Sequence, residues 1–164
     1  MPTPTDPGGS APQAPPGFVT ALLTASRALV GVSARSLAAA EAEVTLQQYR
    51  ALVEVAGHGQ SSVTALADRL AIHPSTASRL CDRLVGKGLV ERTPSAESRR
   101  EVVVTLSPGG RALVDSVTRQ RRAELSRIAR RIPATVQRDL LAALEAFAAA
   151  AGEIPDDAWK LGWT

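Results

Sequence analysis

From Ser61 to Leu106 the chain reads SSVTALADRLAIHPSTASRLCDRLVGKGLVERTPSAESRREVVVTL, and the fold turns on how its middle divides. Pro74 has the fixed φ of a first helical position, and Gly88 can take the left-handed conformation that closes a helix, so a helix is predicted between them. On a 3.6-residue wheel Ala77, Leu80, Cys81, Leu84 and Gly88 share one face. Ser75, Thr76, Arg79, Asp82, Arg83 and Lys87 share the other. One face packs, and the other meets solvent or a partner.

The flanks decide what kind of helix this is. Upstream, Ser62 caps a helix through Leu70 that packs by Leu66, Ala67 and Leu70. Ala65 stands where a capping box would have Glu, so half of that box is absent. Ala71, Ile72 and His73 form the short connection that a helix-turn-helix requires. Downstream, Leu89 and Val90 begin a strand, Thr93 to Arg100 is polar and turn-rich, and Val102, Val103, Val104 and Leu106 return as a β-branched strand. Its weak alternation predicts burial on both faces near its start. The pattern is that of a mainly α chain carrying a winged helix-turn-helix with a two-stranded β-wing.

A charged helix face by itself is usually only solvated. Here its composition matches what reading a DNA major groove needs. Ser75 and Thr76 lie in the first turn, where free N–H groups and small hydroxyls meet phosphate, and Arg79 and Arg83 lie one turn apart with forked donors that fit guanine O6 and N7. Ser62, Ser78 and Lys87 complete the candidate DNA contacts of the two helices. Arg99 and Arg100 fall at or just past the hairpin tip, where an arginine can enter the adjacent minor groove. Asp82 is the anion on this face; it either orients Arg79 or accepts from cytosine N4.

The run Thr45 to Val114 resembles the multiple-antibiotic-resistance-regulator (MarR) family of bacterial transcription factors. The matching features are the opening TLQQYRAL, the core PSTASRLCDRLVGKGLVER, the two wing arginines and the TLSPGGRAL that closes the wing. The resemblance implies a homodimer in which the first helix and the last two interlock with their symmetry mates. It also implies a repressor on a near-palindromic operator, released when a small aromatic or phenolic effector enters the crevice between the DNA lobe and the dimer lobe; the alternative is a winged-helix regulator without ligand control. One departure stands out: the family usually has Asp immediately before the wing arginines, pairing to stiffen the hairpin, and this chain has Ser98 there with Glu97 beside it.

The remaining chain divides around that module. Residues 1–16 carry Pro2, Pro4, Pro7, Pro12, Pro15 and Pro16, a composition that buries no core, and are expected to form a disordered arm. Residues 17–44 are expected to be a dimerisation helix, with Phe18, Leu22, Ala25, Leu29, Val32 and Leu37 near one stripe. Residues 45–106 form the DNA-binding domain, opened by a helix from Thr45 to about Ala56 with Leu46, Tyr49, Leu52, Val53 and Ala56 inward and broken by Gly57, His58 and Gly59. Residues 107–152 hold two dimerisation helices. Ser107 and Pro108 start the first, an arginine-rich helix to about Arg131 whose apolar positions are Leu113, Val117, Leu125 and Ile128. Pro133 starts the second, and its stripe of Val136, Leu140, Leu141, Leu144, Phe147 and Ala148 suggests burial against another subunit. Residues 153–164 form a tail with Trp159 and Trp163.

Composition limits the other classes. Of 164 residues, 45% are hydrophobic and only 3% aromatic, which favours helices packed through small side chains. The net charge of +3 is modest, but its cations cluster in the reading module. A single cysteine excludes an internal disulfide framework and suits a reducing cytoplasm. Without an export signal or an uncharged apolar run of about 18 residues, a cytoplasmic protein with no membrane attachment is expected. Cys81 lies on the packing face without an obvious basic neighbour there, and reads as a buried small hydrophobe rather than a redox sensor. His58 and His73 lack clustered ligands, so no metal is expected, nor any cofactor. No oxyanion loop, phosphate-binding glycine pattern or carboxylate pair accompanies them, so no catalytic residue is assigned. A winged helix that binds protein instead of DNA would need an apolar face where this one is basic.

Overall fold

A computed structural model of the chain describes residues 14–40, 43–95 and 102–154. In order come α1 (Phe18–Ala39), α2 (Leu46–His58), β1 (Ser61–Ser62), α3 (Val63–Arg69), α4 (Pro74–Gly86), β2 (Val90–Pro94), β3 (Val102–Leu106), α5 (Pro108–Ala129) and α6 (Ala134–Ala150). The chain separates into two compact units, Met1–Gly31 and Val32–Thr164, and α1 runs through the boundary. The proline-rich arm, apart from residues 14–16, and the tryptophan tail from residue 155 lie outside the described residues.

In the first unit, Phe18, Val19, Leu23 and Val30 of α1 are exposed. The expected stripe is therefore buried only from Val32 onward, at Val32 and Leu37. Periodicity identifies an apolar face but not what covers it. Among the described residues α1 alone has the length and mean hydropathy, 1.2, of a membrane span. A search for uncharged runs passes over it because it carries Arg27 and Arg35, each unfavourable at a bilayer centre.

The second unit is built on one core. Leu37, Tyr49, Leu52, Val55, Leu66, Leu80, Cys81, Leu84, Val90, Val104, Leu106, Val114 and Val117 cluster there, all nearly inaccessible. Leu46, expected inward, is instead exposed; as the first residue of α2 it sits at the rim, and Ala51 and Val55 take the buried positions. Thr45 caps α2 with a full capping box to Gln48, and the helix runs through Gly57 to His58 before Gly59, at φ +77°, ends it. The two glycines flanking His58 do not act alike: Gly57 is buried within the helix and Gly59 ends it.

The wing is part of a three-stranded antiparallel sheet of order β1-β3-β2, not a two-stranded hairpin. Ser61 pairs with Val104 and Ser62 with Val103, while Val90 pairs with Leu106 and Arg92 with Val104. Lying centrally, β3 buries the adjacent Val103 and Val104 on opposite faces, although its first residue, Val102, is exposed. Burial on both faces thus begins one residue later than the strand does.

Helix ends set the angles between these pieces. The Leu89 N–H bonds Leu84 O and the Gly88 N–H bonds Val85 O, closing α4 with Gly88 at φ +67°. The same pattern closes α3, where Ile72 bonds Ala67 and Ala71 bonds Asp68, but there Ala71 holds φ +51° with a Cβ in the way. Ser107 Oγ donates to Gly88 O at 2.6 Å and accepts from the Gly110 N–H at 2.9 Å, tying the start of α5 to the end of α4. A Cβ on Gly110 would lie 1.9 Å from Leu89 O, so backbone meets backbone there. Gly110→Ala is expected to cost roughly 3 kcal/mol in urea unfolding, since neither backbone can yield locally. Gly109→Ala, whose Cβ would sit 3.3 Å from Gly88 O, should cost far less.

Candidate nucleic-acid interface

The outward face of α4 is built from its N-terminus upward. His73 is the N-cap, its Nδ1 3.3 Å from the Ser75 N–H and 2.9 Å from Ser75 Oγ, and Pro74 occupies the first turn. Ser75 is exposed, and Thr76 and Ser78 are half-buried along its flanks. Arg79 Nε donates to Ser75 O at 3.3 Å and Arg83 Nε to Arg79 O at 3.2 Å. Both stems lie back along the helix, as helical side chains do. Both side chains are exposed, and Arg79, Arg83 and Ser75 share one side of the helix, opposite the buried Ala77, Leu80, Cys81 and Leu84.

Other candidate residues are placed differently. Lys87 Nζ donates to the Glu43 carbonyl just before α2, which draws its charge toward that loop. Ser62 is the N-cap of α3 and accepts from the Ala65 N–H at 3.2 Å. Asp82 neither touches Arg79 nor stands free: its Oδ1 lies 2.9 Å from Arg92 Nη1 on β2. Sequence spacing within one helix could not reveal a partner supplied by a strand. Arg99 and Arg100, with Ser98 and Glu97, lie outside the described residues.

Cys81 is buried on the packing face, as its wheel position predicts. Burial pushes its thiol above the ordinary range; Arg92 nearby opposes this to a lesser degree, so a basic group does reach it from outside its own helix. Among the described residues no three His, Cys, Asp or Glu side chains converge as a metal site would require.

A second feature is formed by residues of α1, α2 and α5 with Leu70 at the end of α3. A crevice of about 470 Å³ is lined by Ser33, Leu46, Gln47, Tyr49, Arg50, Val53, Leu70 and Arg121. The Arg121 guanidinium carbon stands 5.3 Å from the centre of the Tyr49 ring, a cation–π contact. Among the described residues, buried Tyr49 Oη and Arg121 Nε have no hydrogen-bond partner. Arg121 continues the Val114 and Val117 face of α5 by one turn, and that spacing is the signal separating it from the other arginines of that helix.

On the far side of Arg50 a cluster joins the end of α6 to α2. Arg50 makes two hydrogen bonds to Glu153, at 2.6 and 3.0 Å, and an ion pair to Glu54 at 2.9 Å. Glu153 thereby holds the Arg50 guanidinium even more firmly protonated than usual, against the opposing effect of burial. Glu54 also receives Arg69 Nε at 3.3 Å.

The profile of the MarR family matches residues 42–101. The chain is 40% identical to RV1404 from Mycobacterium tuberculosis, whose crystal structure superposes with a TM-score of 0.81 over 89% of this chain and 99% of that one. It is 31% identical over 84 residues to the HTH-type transcriptional repressor MdtR of Bacillus subtilis, covering 51% of this chain and 54% of MdtR. The matched region thus spans about half the length of the curated relatives. The structure of NadR in complex with 4-hydroxyphenylacetate superposes with a TM-score of 0.65 over 92% of this chain and 98% of that one, at 22% identity. That likeness is one of fold.

The burial of Cys81 has a direct consequence for its chemistry. In the native protein a disulfide reagent such as DTNB should react slowly at pH 8, and immediately once guanidinium unfolds the chain. Fast native reaction at pH 7 would contradict a buried thiol whose pKa is raised.

Proposed function

The chain belongs to the MarR family of winged helix-turn-helix proteins, and from that premise we propose that it is a sequence-specific regulator of transcription that binds double-stranded DNA as a homodimer. The observation that carries this reading is the outward face of α4, where Arg79 and Arg83 project beside Ser75 while the opposite face is locked in the core. Such a helix fits the major groove. Arg79 and Arg83 are assigned to guanine edges or neighbouring phosphates, and Ser75, Thr76 and Ser78 to the backbone beside them. The Ser62 hydroxyl accepts from the chain but keeps its own hydrogen for a phosphate. Lys87 adds charge at the end of α4, and Arg99 and Arg100 are assigned to the wing's minor-groove contact.

The dimer reading rests on apolar surface. Nothing on α6 is buried; Leu141 is 58% exposed and Phe147 51%, with Val136, Leu140 and Leu144 beside them. A stripe of this size on a solvent-facing helix marks a covered surface. We assign α6, α5 and the N-terminal helix to the dimer lobe, and residues 45–106 to the DNA lobe. A two-fold dimer then places its reading helices in successive major grooves roughly 34 Å apart, on a near-palindromic operator.

Repression with release by a small ligand is the mode we favour. The crevice offers apolar walls at Leu46, Val53 and Leu70, with Tyr49 and Arg121 among its lining residues. That combination suits a small aromatic compound bearing a carboxylate or phenol. NadR, of the same fold, is recorded with 4-hydroxyphenylacetate. A ligand that favours a lobe spacing unsuited to DNA would shift the population off the operator.

Selection of a genomic-fragment pool, followed by fluorescence anisotropy on the enriched duplex, tests the reading. Wild type should bind one near-palindrome tightly, and Arg79→Ala should lose about 1–3 kcal/mol on it relative to a scrambled duplex. An equal loss on both duplexes would make Arg79 a phosphate contact only. With 4-hydroxyphenylacetate and benzoate as probes, release of wild type but not of Arg121→Leu would support the crevice as the effector site. Release of both alike would remove it.

A further inference from the structure

Arg92 occupies an unusual place. Alternation along β2 puts it on the same face as Val90, which is buried in the core against α4. Two residues on, that face has passed the edge of the core, and Arg92 lies over the junction between the wing strand and the reading helix. Its Nη1 is 2.9 Å from Asp82 Oδ1, on the same outward side of α4 that carries Arg79 and Arg83. The pair is substantially exposed, at 35% and 56% for the two side chains, so it does not serve to bury charge.

With a recognition helix in the major groove and a wing on its flank, the phosphate backbone between the two passes this junction. A lone arginine there would attract phosphate on any sequence. A paired one presents almost no net charge. On the reading that the protein binds DNA through α4, we infer that Asp82 is a specificity-determining residue: it sequesters Arg92 from the phosphate backbone, lowering affinity for random DNA while the sequence-reading contacts of Arg79 and Arg83 are kept. Asp82 also ties the root of the wing to α4.

The test uses the full chain and two duplexes of equal length, the selected operator and its scramble, with affinity followed against salt. Each phosphate neutralised adds about 0.9 to the slope of log K against log salt. Asp82→Asn keeps the shape and removes the charge. It should steepen the slope on the scrambled duplex by about 0.9 per protomer and strengthen that binding about eightfold per protomer at 0.1 M salt, so that operator-over-scramble preference falls. Arg92→Gln alone should leave the wild-type slope unchanged. The double variant should return to the wild-type slope, an outcome that mere loosening of the fold would not produce; thermal unfolding of each variant checks that the fold is retained.

An unchanged slope for Asp82→Asn would overturn the inference. So would a double variant that keeps the added affinity, because the gain would then come from lost Asp82 repulsion and not from Arg92. A changed preference at a single C·G position, with scrambled-duplex binding unaltered, would make Asp82 a base-reading acceptor instead. Failure of wild type to bind either duplex would overturn the DNA reading itself, and is told apart because it appears before any substitution is made.

Discussion

The structure depends on the burial of one side of α4. Ala77, Leu80, Cys81 and Leu84 are all removed from water, into the cluster that holds Leu52, Leu66 and Val104. At about 1.5–3 kcal/mol for each large side chain fully buried, Leu80 and Leu84 alone resist rotation of the helix about its axis by several kcal/mol. A helix that cannot roll presents a fixed outward face. The positions of Arg79 and Arg83 are therefore consequences of leucine packing, and in the proposed complex their fit to a groove is set by residues on the opposite, buried face.

Axial position is fixed as firmly as rotation. His73 and Pro74 define where α4 begins, and Gly88 where it ends. Immediately past that end, Ser107 bonds Gly88 O and Gly110 lies against Leu89 O, so α5 starts in contact with the close of α4. In the proposed dimer α5 links the two lobes. In the proposed mode of control, a ligand between Tyr49 and Arg121 that moved α5 would act on α4 through this contact.

Arginines are the residues whose roles the one-dimensional pattern could least distinguish. Arg79 and Arg83 project to solvent, Arg92 is held by Asp82, Arg50 by Glu153 and Glu54, and Arg121 lies over Tyr49. The helix α4 with its inward face, the turn before it, and the N-caps of α3 at Ser62 and of α5 at Ser107 were legible because each rests on local geometry: a fixed φ, a small cap or a 3.6-residue period. What was not legible is non-local. The pairing of Ser61 and Ser62 with β3 involves residues without strand propensity, recruited because β3 has an open edge. The partner of Asp82 comes from a strand, and the outward turn of Leu46 follows from where α2 meets the rim. Each depends on which segments meet, which periodicity leaves open.

Chemical interference on the selected duplex reports whether α4 reads base edges or only the backbone. Methylation of guanine N7 blocks the major-groove edge without altering phosphate charge. Two patches of interference about 10–10.5 base pairs apart, centre to centre, are expected, one for each α4 of a two-fold dimer. Interference from phosphate ethylation alone, with N7 methylation without effect, would contradict it, since α4 would then lie on the backbone and read no base.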